Sequence, residues 1–120
     1  MKKTVTSIAL LGILATAGSF NAYAGGNIEA GKADVAKYNC ASCHGTDFNS
    51  PIEAGSPPRL AGQHKDYLEH ALVGYQRGGK GANGRANPIM GGMAGPLSHQ
   101  EMLDIAAYLS SLPGSLYVRK

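Results

Sequence analysis

Residues 39–45 read Asn-Cys-Ala-Ser-Cys-His-Gly and hold both cysteines of a 120-residue chain. Two thiols three positions apart, with a histidine directly after the second, suit four kinds of chemistry. A structural zinc site needs four nitrogen or sulfur ligands, usually from a second paired motif. Beyond this stretch the sequence offers only His64, His70 and His99, without paired spacing. A redox dithiol belongs at the start of a helix in a βαβ setting, and the sequence has no run of alternating apolar residues to supply strands. A plain disulfide uses the thiols and leaves His44 idle. The fourth chemistry is that of C-x-x-C-H, the attachment signature of c-type haem. Each thiol adds to one vinyl group of the porphyrin, and the two thioethers hold the ring under the following histidine. Only this reading uses Cys40, Cys43 and His44 together. It predicts one covalent haem c, with His44 as an axial ligand of its iron.

The rest of the chain must deliver and enclose such a group. Lys2 and Lys3, an apolar run from Ile8 to Ala17 and the triplet Ala22-Tyr23-Ala24 have the order of a cleavable export signal. Crossing a bilayer takes about 20 apolar residues, and polar residues from Thr4 to Ser19 interrupt this run. The expectation is therefore a signal over residues 1–24, cleaved after Ala24, and one domain over 25–120 in the periplasm. Losing Lys2 and Lys3 takes the formal charge from +3 to +1, which leaves no basic footprint for nucleic acid. A domain that small buries little surface and has no disulfide framework. A bound prosthetic group would complete its core.

Three segments read as helices. Asn27 caps the first, with Ile28, Gly31 and Val35 at helical spacing toward Tyr38. Gln63 to about Arg77 places Tyr67, Leu68, Ala71, Leu72 and Tyr75 on one face and stops at Gly78-Gly79. Ser98-His99-Gln100-Glu101 is a capping box, Leu97 and Met102 sit at staple positions, and Ile105, Ala106 and Leu109 carry the apolar face on to Pro113-Gly114. Residues 46–62 and 78–96 read as long loops without apolar periodicity. Loops of that length need something to wrap around. The fold class is all-α.

In this order, Cys40-Ala41-Ser42-Cys43-His44-Gly45, Asn49-Ser50-Pro51, Pro58-Arg59-Leu60-Ala61-Gly62-Gln63, Met90-Gly91-Gly92-Met93, Leu97-Ser98 and Asp104-Ile105-Ala106-Ala107-Tyr108 resemble the class I c-type cytochromes. The likeness is greatest to small periplasmic single-haem carriers and to one half of two-domain dihaem carriers. It implies three main helices plus long loops around one haem, with the first and last helices crossing beside it and a Gly-rich loop delivering a methionine to the iron. It also implies that the carbonyl of Pro58 orients His44 and that Met90 is the sixth ligand. The stretch from Ser50 to Pro58, the helix start His99-Gln100-Glu101 and the tail from Ser115 to Lys120 depart from the family pattern.

Other residues fit around that frame. Pro88 restricts the approach to Met90 and Gly91-Gly92 lets the chain turn away after it, whereas Met93 and Met102 are placed to pack as core. A thioether ligand favours ferrous iron and raises the potential compared with two imidazoles. His64 and His70 are the imidazoles available for the alternative, and both read as exposed. Arg85, five residues before Met90, is a candidate partner for a haem propionate. Tyr67, Tyr75 and Tyr108 read as core aromatics.

The functional expectation is a periplasmic one-electron carrier with redox partner proteins, membrane-bound or soluble, that acts as a monomer or in transient complexes. It has no small-molecule substrate, and no general base, nucleophile or phosphate loop suggests an enzyme. Two rivals stay open: a haem subunit of a larger oxidoreductase complex, and a five-coordinate haem protein that binds peroxide or a small gas.

Overall fold

A computed structural model describes residues 25–53 and 56–115; the expected export signal lies outside them. The elements are α1 (Ile28–Lys37), α2 (Ala41–His44), α3 (Lys65–Arg77), α4 (Pro88–Ala94) and α5 (His99–Ser111), with no strand among the described residues. None of the helices described is long and apolar enough to cross a membrane.

The first and last helices start where local chemistry tells them to. Asn27 accepts a hydrogen bond from the Ala30 N–H, which satisfies a donor left without a partner in the first turn. At α5 the Ser98 hydroxyl accepts from the Glu101 N–H while Glu101 accepts from the Ser98 N–H, so the capping box is closed from both sides. His64 precedes α3 without a side-chain cap, and the helix begins at Lys65, two residues later than the apolar spacing suggests.

α1 and α5 cross at Gly31, where a Cβ would overlap the backbone carbonyl of Asp104. Glycine is needed there because the two backbones touch. Asp104 is buried at 6 % exposure, and its Oδ1 accepts from the Asn27 N–H at 2.6 Å and from Gln100 Nε2 at 2.9 Å. A buried carboxylate needs such donors to offset its lost hydration. On the outer side of the crossing, the Glu101 carboxylate takes Lys37 Nζ at 2.7 Å and the Tyr38 hydroxyl at 2.9 Å. The Lys37 ammonium, together with the Ser98 N–H, holds that carboxyl down to about 2.

Val35, Phe48, Leu68, Leu97, Met102, Ile105 and Leu109 form the core between α1, α3 and α5. Met102 is 1 % exposed, as its staple position implies. Phe48 and Tyr108 meet edge to face with centroids 6.3 Å apart.

Residues 78–96 are not one continuous loop, because Pro88–Ala94 forms α4. Asn87 in extended conformation caps it, and Pro88 sits in the first turn, where its missing N–H costs nothing. The segment was hard to read because Gly91 and Gly92 lower its intrinsic helicity, each by about 1 kcal/mol relative to alanine.

Candidate haem site

The helical turn α2 brings the three motif side chains together. Cys40, Cys43 and His44 stand at i, i+3 and i+4, which are neighbours on one helical face. Asn39 enters the turn with φ 53° and Gly45 leaves it with φ 85°. A Cβ at Gly45 would run into the carbonyl of Ser50, so the exit takes glycine for two reasons. α1 leads directly into this turn, with the Cys40 N–H donating to the Val35 carbonyl at 3.0 Å. The α1–α5 crossing therefore fixes where the motif sits.

Both thiols are free, Cys40 half-buried and Cys43 exposed. Burial pushes the Cys40 thiol up. Among the described residues, no three His, Cys, Asp or Glu side chains are grouped to hold a metal ion.

His44 is buried at 6 % exposure, and its Nδ1 lies 2.8 Å from the carbonyl oxygen of Pro58. A neutral imidazole that donates from Nδ1 to that carbonyl keeps its Nε2 lone pair for a metal. The carbonyl is itself held in place. The Leu60 and Ala61 N–H groups both donate to the Phe48 carbonyl, at 2.8 and 3.1 Å, and the Gly62 N–H donates to the Leu109 carbonyl at 2.9 Å. The Pro58 strap is thus tied to α5 on one side and to the segment after the motif on the other.

Met90 occupies the first turn of α4, half-buried, with its N–H donating to Asn87 Oδ1 at 2.9 Å. The chain does not turn away at Gly91-Gly92 but stays helical to Ala94. Met93 is not core either, being 36 % exposed. Arg85 lies along α3, its guanidinium 5.3 Å from the Tyr67 ring centre and 5.4 Å from that of Tyr75. Its N–H donates to the Gly74 carbonyl at 2.9 Å, and a Cβ at Gly74 would press on the Arg85 chain at 3.2 Å. Tyr67 is 48 % exposed and so is no core aromatic, whereas Tyr75 and Tyr108 are half-buried. His64 and His70 are exposed, as expected. The sequence reading missed Gln76, whose side chain spans from α3 to the end of α4. A lone glutamine at the end of a helix gives no signal in sequence.

The pattern of residues 28–113 matches the cytochrome c family model. The chain belongs to the cytochrome c family. It is 43 % identical to cytochrome c4 of Stutzerimonas stutzeri over 121 residues, covering 97 % of this chain and 53 % of the relative. The thiosulfate dehydrogenase electron acceptor of S. stutzeri strain A1501 is 40 % identical over 83 residues, covering 69 % of this chain and 36 % of that one. Among solved structures, reduced cytochrome c4 from Pseudomonas stutzeri superposes with a TM-score of 0.65 at 45 % identity, covering 76 % of this chain and 48 % of the other. The chain spans about half the length of the cytochromes c4 it matches. Its fold is the class I cytochrome c fold. The family and the spacing of two free thiols give one covalent haem c with its iron. The residues fit that group: two unpaired sulfurs and an oriented imidazole share one face of a single turn.

Proposed function

We propose that this cytochrome c domain is an exported one-electron carrier, in which Cys40 and Cys43 tether the haem, and His44 and Met90 ligate its iron. The observation that carries this reading is the 2.8 Å contact between His44 Nδ1 and the Pro58 carbonyl, on the turn that holds both thiols. When bound, the haem supplies a one-electron ferric/ferrous couple.

The protein's own part is to hold the ligands still, so that little reorganisation accompanies the change of charge. His44 donates to a carbonyl that cannot drift, because the strap bearing it is bonded at Phe48 and Leu109. That bond keeps Nε2 basic and the ring in one orientation. Met90 is offered from a helix capped by Asn87, and a neutral thioether favours the reduced state. Arg85, in the coil before α4, keeps a permanent charge that suits a propionate while its face rests on two tyrosine rings.

The proposed location is the periplasm, and the proposed partners are redox proteins, membrane-bound or soluble. One relative is a thiosulfate dehydrogenase electron acceptor, which favours exchange with a dehydrogenase. The second reading, a haem subunit of a larger complex, is favoured by another relative, the cytochrome subunit of sulfide dehydrogenase of Chlorobaculum tepidum, and co-purification separates it from a free carrier.

The test of the ligand set is a pair of variants. Met90→Ala should lose the sulfur-to-iron charge-transfer band of the oxidised protein and let the reduced protein bind carbon monoxide. Met93→Leu should keep the band. The reverse result would refute the assignment.

A further inference from the structure

α4 is a poor helix by its own sequence. It has seven residues, two of them glycine, and no basic residue in its last turn. Helices that short are not stable in water by propensity alone. Its N-terminal end is fixed by Asn87, whose Oδ1 accepts from the Met90 N–H itself. At its C-terminal end the Gly91 carbonyl accepts from the Gly95 N–H at 3.0 Å and the Ala94 carbonyl from the Leu97 N–H at 3.1 Å, and each carbonyl can take a second donor.

A further donor comes from α3. Gln76 Nε2 lies 3.3 Å from the carbonyl of Ala94, 3.2 Å from that of Gly95 and 2.9 Å from that of Leu97. The two N–H groups of one side-chain amide therefore reach the last carbonyl of α4 and the segment that leads into α5. Ala94 is fully buried beside it, whereas Gln76 is itself exposed and fills no part of the core. An exposed glutamine on three carbonyls is placed to act through its N–H groups.

We propose that Gln76 is a positioning residue for the sixth ligand: by capping the C-terminal end of α4, it holds Met90 in the ligating position. The proposal rests on the reading of Met90 as that ligand. Without the clip, α4 frays from Ala94 back toward Met90, and the sulfur spends more time away from the iron. A competing ligand then finds an open site more often, and its apparent affinity rises in proportion to the open fraction.

The probe is imidazole, titrated into the oxidised, haem-loaded protein and followed by the loss of the sulfur-to-iron charge-transfer band. Gln76→Leu removes the donors without adding charge and keeps a good helix former in α3. Losing this bond set should raise the apparent imidazole affinity about tenfold. Gln76→Lys restores N–H donors at a helix C-terminus, where a cation is also favoured, and should bring the affinity back toward that of the parent. A merely structural role would lower the unfolding midpoint of Gln76→Leu and leave imidazole binding at the parental level, and that result overturns the proposal. If Met90→Ala keeps the charge-transfer band, the ligand assignment fails and the proposal with it. If Met90→Ala loses the band but Gln76→Leu binds imidazole like the parent, the positioning role alone fails.

Discussion

Replacing Asp104 by alanine tests whether the α1–α5 crossing is held by its buried carboxylate. The Oδ1 atom accepts from the Asn27 N–H at 2.6 Å and from Gln100 Nε2 at 2.9 Å, and the residue is 6 % exposed. Gln100 is exposed and can turn to water, so its loss costs little. The Asn27 N–H is different. It sits half-buried just ahead of α1, and removing its charged acceptor costs about 1.5–3 kcal/mol. In a domain of this size each kcal/mol moves the melting temperature by roughly 4–8 °C. Asp104→Ala should therefore lower the melting temperature of the haem-loaded protein by roughly 6–24 °C. Asp104→Asn keeps an oxygen in place with about half the bond strength, and should fall between the two. Thermal unfolding followed by far-ultraviolet circular dichroism measures all three proteins. An Asp104→Ala variant that melts within about 2 °C of the parent, below what one lost bond implies, would refute the reasoning.

Met102 is 1 % exposed in the core, and Met102→Ala should cost about 2–5 kcal/mol in urea unfolding, with the haem still attached. Glu101 gives a pH dependence. Its carboxyl is held down to about 2 in the folded state, against an ordinary value of 4.5. Its contribution is therefore complete above 4.5 and fades as pH falls toward 2. Glu101→Gln keeps a capping-box residue but cannot titrate, so its stability should fall less steeply than the parent's across that window, as read from unfolding midpoints in buffers spanning it.

The parts of this structure visible in sequence are those set by neighbours in the chain. Asn27 and the Ser98–Glu101 box cap their helices within four residues, and Cys40, Cys43 and His44 share a turn by spacing alone. The contact between His44 and Pro58 spans fourteen positions, and only the family resemblance pointed to it. What was not legible depends on distant partners. α4 is hidden by Gly91 and Gly92, while Asn87 caps its start and Gln76 reaches over from α3 to its last carbonyl. Asp104 is a charge inside an apolar period, explained only when Asn27 is seen to arrive from 77 positions away. Met93, close to Pro96 and the start of the last helix, and Tyr67, on the apolar face of α3, read as core, yet they are 36 % and 48 % exposed while Ala94 and Leu68 beside them are buried. The guanidinium of Arg85 rests on Tyr67 and Tyr75, a stacking that no local pattern announces.

The central claim is that His44 and Met90 together close the coordination of one covalently held haem. Optical spectra of the purified native protein, oxidised and then reduced under carbon monoxide, test it most directly. The oxidised protein should show a sulfur-to-iron charge-transfer band, and carbon monoxide should leave the reduced spectrum unchanged at neutral pH. An oxidised protein without that band, whose reduced form binds carbon monoxide at once, would contradict it.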